Sequence, residues 1–258
     1  MNDMKQDKQQ DADGGTTATA HTPVAIITGG SRGLGAALTA DLARGGWTVV
    51  IDGRDARALA ATTDRIRDGL DGVGSVIAIP GDVSDAAHRT TLVHAARAAG
   101  SLELVINNAS VLGPSPLRRL GDHPLEALGH ILDVNVIAPL GLIQLALDDL
   151  RRHHGAVINV SSDAAVEGYE GWGGYGSSKA ALDQVSRVLA AEEPELRVYA
   201  LDPGDMRTAM HQEAFPGEDI SDRPEPETVV PAVRALLATS PPSGRYRAAD
   251  LLPVGALS

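Results

Sequence analysis

Short apolar runs of four or five residues recur along the chain and alternate with longer segments of helical length. The runs are apolar at consecutive positions and rich in β-branched residues, which is typical of strands buried on both faces of a parallel sheet. They occupy residues 24–28, 48–51, 75–79, 102–106, 156–160 and 197–201. The helix-length segments are 33–45, 55–70, 84–99, 125–152 and 174–192. Six repeats of strand and helix predict an α/β fold, a doubly wound parallel sheet with helices on both faces.

The two ends of the chain depart from this pattern. Residues 1–22 are polar and hold too little apolar surface to offset the entropy of ordering, which predicts a disordered N-terminal tail. Residues 23–258 show no break in composition, so we expect one domain. Near its end, a proline-rich loop at 219–230 precedes a further helix, and 243–251 predicts a last edge strand, for about seven strands in all.

Composition excludes several classes of function. The 258 residues include no cysteine, which rules out a disulfide scaffold, a thiolate nucleophile and a Cys-ligated metal site. With 34 acidic against 22 basic residues the net charge is −12, which disfavours nucleic acid and anionic membranes as partners. The eight histidines lack ligand spacing, so we expect no metal site. Without a signal peptide or a run of about 20 apolar residues, we expect a cytoplasmic protein.

A glycine-rich loop follows the first predicted strand and leads into an alanine-rich helix. Gly29 permits a tight turn, Gly33 lets the backbone approach phosphates, and Gly35 allows the helix to pack closely on the strand. The N–H groups and the dipole at the start of the helix favour a pyrophosphate. This context predicts a Rossmann-type dinucleotide-binding fold, with a plain glycine-rich turn as the alternative. The loop residues expected to bind the dinucleotide are Thr28, Gly29, Ser31, Arg32, Gly33, Leu34 and Gly35.

The end of the second strand bears on which dinucleotide is bound. A carboxylate there suits the ribose hydroxyls of NAD, and an arginine suits the 2′-phosphate of NADP. The chain has both, at Asp52 and Arg54. Arg54 together with Arg32 can hold a phosphate between two guanidinium groups, so we expect NADP, with NAD as the alternative.

A tyrosine and a lysine stand four residues apart at the start of a predicted helix, at Tyr175 and Lys179. Side chains at this spacing share one helical face, which places the ammonium beside the phenol. A charge at about 5 Å with an effective dielectric of about 20 is worth roughly 3 kcal/mol, which lowers the tyrosine pKa most of the way to neutrality. Lys179 is one of only three lysines in a chain with 19 arginines, so an acid–base pair is favoured over a chance surface pair.

Together these motifs resemble the short, single-domain branch of the short-chain dehydrogenase/reductase family. The resemblance extends from residue 24 to about residue 208 and rests on a set of motifs rather than on any single one. Beyond the glycine loop, the matching positions are Asp82-Val83, Asn107-Asn108-Ala109, Ser162 thirteen residues before Tyr175, Lys179, and Pro203-Gly204.

The resemblance implies catalytic roles for four residues. Tyr175 would protonate a carbonyl oxygen during reduction, and Lys179 would lower the tyrosine pKa and bind the nicotinamide ribose. Ser162 would polarise the substrate carbonyl, and Asn135 would hold a water for proton relay. Two positions depart from the family pattern, since Ser110 replaces a common glycine and Asp163 replaces a usual apolar residue.

The resemblance also implies further cofactor contacts. Asp82 and Val83 would flank the adenine, and Asn108 and Ala109 would line the adenosine-side ribose. At the other end, Thr208 would bind the nicotinamide amide, with Pro203 and Gly204 beside the cofactor.

The expected function is hydride transfer between NADP(H) and a small carbonyl or secondary alcohol substrate, by a homodimer or homotetramer. Trp172, Met206 and Met210 favour a largely apolar ketone or aldehyde, and the variable substrate loop is expected at 205–226. A 3-oxoacyl-thioester reductase is an alternative, although the net charge opposes an acidic carrier unless Arg118-Arg119 and Arg151-Arg152 form a basic patch. A non-catalytic dinucleotide sensor or scaffold is the alternative of a different class.

Overall fold

A parallel sheet forms the centre of the protein, which a computed structural model describes over residues 22–72 and 74–251. The strands are β1 (Pro23–Ile27), β2 (Thr48–Gly53), β3 (Ser75–Pro80), β4 (Ser101–Asn107), β5 (Ala156–Val160), β6 (Arg197–Asp202) and β7 (Gly244–Arg247). They lie in the order β3-β2-β1-β4-β5-β6-β7, and neighbouring strands are parallel throughout. The predicted sheet is therefore confirmed, and its last edge strand is confirmed over Gly244–Arg247, whereas the end of the predicted strand, Ala248–Leu251, is a short helix. The predicted N-terminal tail lies outside the described residues, except for Thr22.

Helices cover both faces of this sheet. They are α1 (Gly33–Arg44), α2 (Ala56–Asp68), α3 (Ala86–Ala99), α4 (Leu125–Leu132), α5 (Ala138–Arg152), α6 (Gly173–Glu192), α7 (Ala209–Ala214), α8 (Val230–Thr239) and α9 (Ala248–Leu251). Successive strand residues point to opposite faces. Ala25 and Ile27 belong to an apolar layer with α1, α2 and α8, whereas Val24 and Ile26 belong to a layer with α3, α5 and α6. The core thus lies in two layers, one on each side of the sheet.

The predicted helix at 125–152 contains an irregular turn. A π-helical turn at Asp133–Ile137 joins α4 to α5, and such turns occur frequently at functional sites. By length and composition alone, this stretch is long and apolar enough to cross a membrane. Leu142, Ile143 and Leu150 are nevertheless fully buried against the sheet, so these apolar residues belong to the core of the fold.

The strand order reverses at β1, which lies between β2 and β4. Connections leave these strands toward opposite sides of the sheet, and a crevice opens at their carboxyl ends. In open α/β sheets this position is where ligands bind.

Candidate active site

A cavity of about 660 Å³ opens at the carboxyl ends of the strands, at this reversal point. Most residues predicted to bind a dinucleotide line it, namely Gly29, Ser31, Arg32, Gly33, Leu34, Arg54, Asp82, Val83, Asn108, Ala109, Pro203, Gly204 and Thr208. Ser162, Tyr175 and Lys179 line the same cavity. Most of the predicted cofactor residues and three of the four predicted catalytic residues therefore line one space, whereas Thr28, Gly35 and Asn135 do not line it.

The glycine loop depends on its glycines for conformation and for room. Gly29 and Gly33 have φ angles of +71° and +54°, in the left-handed region that favours glycine. A side chain at Gly35 would bring its Cβ within 2.3 Å of the Gly29 carbonyl oxygen. Gly35 therefore does not line the cavity, but its lack of a side chain lets α1 pack against the loop.

Thr28 also shapes the cavity from behind its wall. Its buried hydroxyl accepts hydrogen bonds from the backbone N–H groups of Asn108 (3.1 Å) and Ala109 (3.0 Å). The Asn108 side-chain amide in turn donates to the carbonyl oxygens of Thr28 (2.8 Å) and Gly29 (3.2 Å). These four bonds join the ends of β1 and β4 and fix the start of the glycine loop.

The start of α1 differs from the starts of α2 and α3. Asp55 caps α2 and Asp85 caps α3, each by accepting hydrogen bonds from first-turn N–H groups. Within the described structure, Arg32 gives α1 no side-chain cap, and Gly33 and Leu34 in its first turn line the cavity. Uncapped helical N–H groups at a cavity fit the pyrophosphate of a dinucleotide.

Asp52 holds the glycine loop and is engaged on both oxygens. The residue is 1% exposed, and its Oδ1 accepts a hydrogen bond from the Gly29 N–H at 2.6 Å. Its Oδ2 lies 3.1 Å from His88 Nε2, a partner that the sequence did not reveal. Arg54, two residues further on, is exposed and lines the cavity together with Arg32.

Asp82 and Val83 form the floor of the cavity near Arg54. The Asp82 carboxylate accepts hydrogen bonds from the N–H (2.9 Å) and hydroxyl (2.7 Å) of Ser84. Burial alone would raise the pKa of Asp82, but the Ser84 hydrogen bonds and the Arg54 charge lower it overall. Val83 is buried beside Val134. A carboxylate, a cation and an apolar surface therefore lie next to one another here.

Tyr175 and Lys179 lie on α6 at the other end of the cavity. Tyr175 is 8% exposed and Lys179 is 2% exposed. The Lys179 Nζ lies 5.5 Å from the centre of the Tyr175 ring and donates to the Val160 carbonyl oxygen at 2.7 Å. The end of β5 thus holds the ammonium beside the phenol.

Burial dominates the acidity of Tyr175. It raises the tyrosine pKa, hydrogen bonds from Ser162 and Ser110 act to lower it, and the charges of Asp163 and Asp202 raise it further. The expectation that Lys179 brings this pKa toward neutrality does not hold here, because desolvation of the phenolate outweighs the nearby charge. Tyr175 is consequently protonated at neutral pH, as a proton donor must be.

Burial also shifts the acidity of Lys179. It lowers the pKa of the ammonium to about 8, against the opposing effect of the Asp183 carboxylate. The lysine therefore still carries its charge at neutral pH.

Ser162 is hydrogen-bonded to the carboxylate of the next residue, Asp163. Its hydroxyl donates to Asp163 Oδ1 at 2.9 Å, and the Tyr169 hydroxyl donates to Asp163 Oδ2 at 2.9 Å. Asp163 lines the cavity and brings a negative charge to the position where an apolar residue was expected. Any carbonyl at this site competes with Asp163 for the single Ser162 proton.

Asn135 lies in the π-helical turn and is fully buried. Its oxygen accepts from the Val111 N–H (2.9 Å) and the Ser110 hydroxyl (3.1 Å), and its amide donates to the Val111 carbonyl (3.0 Å) and the Ser178 hydroxyl (2.9 Å). The side chain thus joins the loop after β4 to α6, while the water-relay role stays a prediction. Ser110 donates to Asn135 and acts to lower the pKa of Tyr175, a link that a glycine at this position would lack.

An apolar cluster covers Tyr175 on the side away from the sheet. The Trp172 ring lies 5.7 Å from the Tyr175 ring, edge to face, and 6.0 Å from the Phe215 ring. Met210 packs in the same cluster, whereas Met206 packs against the core layer of α1 and α8. Of the three residues predicted to favour an apolar substrate, Trp172 and Met210 therefore lie beside the tyrosine.

The segment at 205–226 contains a helix that sequence patterns did not indicate. The Thr208 hydroxyl caps α7 by accepting from the His211 N–H at 3.2 Å, and the Thr208 methyl group would lie 3.4 Å from a Cβ added at Gly33. This short helix carries Met210, which lines the cavity.

Comparison with known proteins places this site in a family. The family model for short chain dehydrogenases matches residues 23–219. The chain is 35% identical over 197 residues to the rhamnolipids biosynthesis 3-oxoacyl-[acyl-carrier-protein] reductase of Pseudomonas aeruginosa, across 72% of this chain and 74% of that protein. It is 31% identical over 193 residues to the L-fucose dehydrogenase of Mus musculus, across 74% of this chain and 67% of that protein.

Solved structures agree with the sequence relatives. A short chain dehydrogenase from Shigella flexneri, complexed with NADP, superposes with a TM-score of 0.80 at 26% identity, across 89% of this chain and 98% of that one. An alcohol dehydrogenase from Thermococcus sibiricus, complexed with 5-hydroxy-NADP, superposes with a TM-score of 0.77 at 26% identity, across 88% and 96%. With a matching family model over most of its length, this chain belongs to the short-chain dehydrogenase/reductase family of oxidoreductases.

Proposed function

We propose that the protein reduces a ketone or aldehyde with NADPH, and oxidises the corresponding alcohol in the reverse direction. One observation carries the proposal: Ser162, Tyr175 and Lys179 line the same cavity, and the Lys179 ammonium lies 5.5 Å from the centre of the phenol ring. Two hydroxyl donors converging on one space suit a carbonyl oxygen that gains negative charge during the reaction.

The residues divide the proton chemistry between them. Bound NADPH supplies the hydride that reaches the carbonyl carbon. Tyr175, kept protonated by burial, donates its proton to the carbonyl oxygen as that oxygen gains charge. Ser162 donates a second hydrogen bond to the same oxygen once its proton turns away from Asp163. The Lys179 ammonium stabilises the phenolate that Tyr175 becomes.

The charged residues in the part of the cavity expected to hold the adenosine of the cofactor support NADP over NAD. Arg32 and Arg54 line the cavity next to the glycine loop and can hold a 2′-phosphate through charge-assisted hydrogen bonds. Both oxygens of Asp52 are already engaged, by Gly29 and by His88, so this carboxylate is a poor partner for ribose hydroxyls. The related structure from Shigella flexneri, which contains NADP, supports the same choice.

The cavity walls fit the remainder of such a cofactor. The uncapped start of α1 suits the pyrophosphate, and Asp82 and Val83 suit the adenine. Gly204 and Thr208, near the catalytic pair, suit the nicotinamide end.

A 3-oxoacyl-thioester presented by an acidic carrier protein is the second candidate substrate, supported by the Pseudomonas relative. The basic patch that such a carrier needs is weakened by ion pairs. Arg151 pairs with Glu193 and Asp148, and Arg119 pairs with Glu170. The small-molecule carbonyl is therefore favoured, since an acidic carrier would meet neutralised arginines on a protein of net charge −12.

We also infer that two or four copies of the chain associate. Ile137, Leu145 and Val188 are 55%, 36% and 43% exposed along the α5–α6 side, which is costly for an isolated monomer. Light scattering of the purified protein measures the mass, and a monomer at micromolar concentration would contradict this inference.

The proposed activity is tested with a panel of ketones, aldehydes and a 3-oxoacyl thioester. Consumption of NADPH is followed for the native protein and for Tyr175→Phe. We expect turnover of at least one carbonyl by the native protein and its loss in Tyr175→Phe. Turnover of the thioester alone would favour the second candidate, and equal rates for both proteins would refute the proposed mechanism.

A further inference from the structure

Arg245 connects three segments that surround the candidate active site. It lies on β7, outside the residues matched by the family model. Its Nε donates to Asp183 Oδ2 at 3.0 Å, and its Nη2 donates to Asp202 Oδ2 at 3.1 Å and to the Ser162 carbonyl oxygen at 2.9 Å. One guanidinium thus reaches α6, the end of β6 and the second residue after β5.

The two carboxylates are buried and bind other parts of the site. The Asp183 and Asp202 side chains are 2% and 5% exposed. Asp183 Oδ1 accepts from the Ser161 hydroxyl at 2.5 Å, and Asp202 Oδ1 accepts from the Gly204 N–H at 3.0 Å. Buried carboxylates require a paired cation, and Arg245 hydrogen-bonds to both.

The same carboxylates act on the proton-transfer pair. Asp202 contributes to the raised pKa of Tyr175, and Asp183 opposes the lowering of the pKa of Lys179. The other charged group that raises the Tyr175 pKa is Asp163, which begins a short 3₁₀ turn between β5 and α6. A guanidinium bonded to Asp183 and Asp202 offsets both of their charges.

We propose that Arg245 is a positioning residue for the reaction, fixing the Ser162 backbone and neutralising Asp183 and Asp202 beside Tyr175 and Lys179. The inference rests on the proposed carbonyl reduction. It assigns part of the catalytic geometry to the C-terminal edge strand. The glycine loop and the Tyr175–Lys179 spacing give no indication of it.

The first test reads the electrostatic effect without turnover. The chain has three lysines, of which Lys5 and Lys8 lie in the first ten residues, so carbon-13 labelling of lysine gives a three-signal NMR titration. The Lys179 signal, assigned with Lys179→Arg, should titrate with a midpoint near pH 8. Arg245→Gln should move this midpoint upward by about one pH unit, because Asp183 then acts on the ammonium without a counter-cation. Arg247→Gln, an exposed arginine on the same strand, is the matched control and should leave it unchanged.

The second test reads the kinetic effect. Arg245→Gln should lower kcat about tenfold or more, shift the pH profile of kcat to higher pH, and change the KM for NADPH less than kcat. Arg245→Lys keeps the positive charge but lacks the planar guanidinium that donates to several acceptors at once. It should therefore restore the pH profile but only part of kcat. Where Arg245→Gln does not fold, Arg245→Gln/Asp183→Asn also removes the Asp183 charge that the first substitution leaves unpaired. That variant should titrate Lys179 near the native midpoint, because the cation and the carboxylate that it offsets are removed together, and a midpoint clearly below the native one would show that Arg245 does not offset Asp183.

Two results separate failure of this inference from failure of the proposed function. If Arg245→Gln keeps the native Lys179 midpoint, pH profile and kcat and shows only a lower unfolding temperature, Arg245 has a purely structural role. Absence of carbonyl turnover by the native protein would instead overturn the proposed function, and the lysine titration would still decide whether Arg245 offsets Asp183.

Discussion

Replacing Arg54 with glutamine should weaken use of NADPH while leaving use of NADH nearly unchanged. Arg54 lines the cavity at the end of β2, and the neighbouring carboxylate of Asp52 is engaged by Gly29 and His88. A hydrogen bond to a charged group contributes roughly 1.5–3 kcal/mol, and solvent at the exposed Arg54 places its contribution near the lower end. About 1.5 kcal/mol corresponds to a loss of roughly tenfold in kcat/KM for NADPH.

The assay compares kcat/KM for the two cofactors with one saturating carbonyl substrate. Arg54→Gln should lose about tenfold with NADPH and less than about twofold with NADH, because only NADPH carries the 2′-phosphate. Arg54→Lys should lose less than Arg54→Gln, since it keeps the charge but not the planar fork. The preference of the native protein for NADPH over NADH should also shrink at high salt, because salt screens exposed charges. Arg57→Gln, an exposed arginine on α2, is the matched control.

Two outcomes would refute this reasoning about the adenosine end. Equal losses with NADPH and NADH would mean that Arg54 acts on the fold or on a part common to both cofactors. A native preference for NADH would mean that Asp52 leaves its partners and binds the ribose hydroxyls.

Three further substitutions probe the catalytic groups and the loop that supports them. Asp163→Ala removes a charge that raises the pKa of Tyr175, so the alkaline limb of the kcat/KM profile for reduction should move to lower pH, as measured by initial rates. Lys179→Met removes a charge 5.5 Å from the phenol ring, worth about 3 kcal/mol at an effective dielectric of about 20, so kcat should fall about 100-fold in single-turnover assays. Gly35→Ala should destabilise the fold by about 1–3 kcal/mol in urea unfolding, because its Cβ would lie 2.3 Å from a backbone oxygen.

Each of these expectations has an opposing result. An unshifted limb in Asp163→Ala would show that Tyr175 does not sense this carboxylate, and an unchanged kcat in Lys179→Met would remove the lysine from the reaction. Gly129→Ala is the control for the glycine test, because no atom lies within 4 Å of its added Cβ. Equal stability of the two glycine variants would contradict the packing argument at α1.

The strands and long helices followed from the sequence because their patterns are local. The run rich in β-branched residues at 156–160 predicted β5 at its observed bounds, and the segment 33–45 predicted α1 to within one residue. The π-helical turn at Asp133–Ile137 was missed because it differs from an α-helix by one hydrogen-bond register, which side-chain periodicity does not record. The short helix Ala209–Ala214 was missed because six residues are too few to show a period.

The residues of the candidate site likewise divide into those that local spacing predicts and those that depend on contacts between distant parts of the chain. Tyr175 and Lys179 were predictable because four residues of spacing on one helix fix their relative position. The sequence left Asp52 open between ribose binding and other roles, because its partner His88 is 36 residues away. Arg245 was unpredictable for the same reason, since its partner Asp183 is 62 residues away and is brought near only by the parallel sheet.

The central claim is that Tyr175 delivers a proton during hydride transfer. Its most direct test is a single turnover of NADPH and a saturating ketone by the native protein and by Tyr175→Phe, with NADPH affinity measured on both by fluorescence. We expect equal affinities and a loss of about 100-fold or more in the hydride-transfer rate of Tyr175→Phe. A native transfer rate in that variant, with NADPH bound as tightly as before, would contradict it.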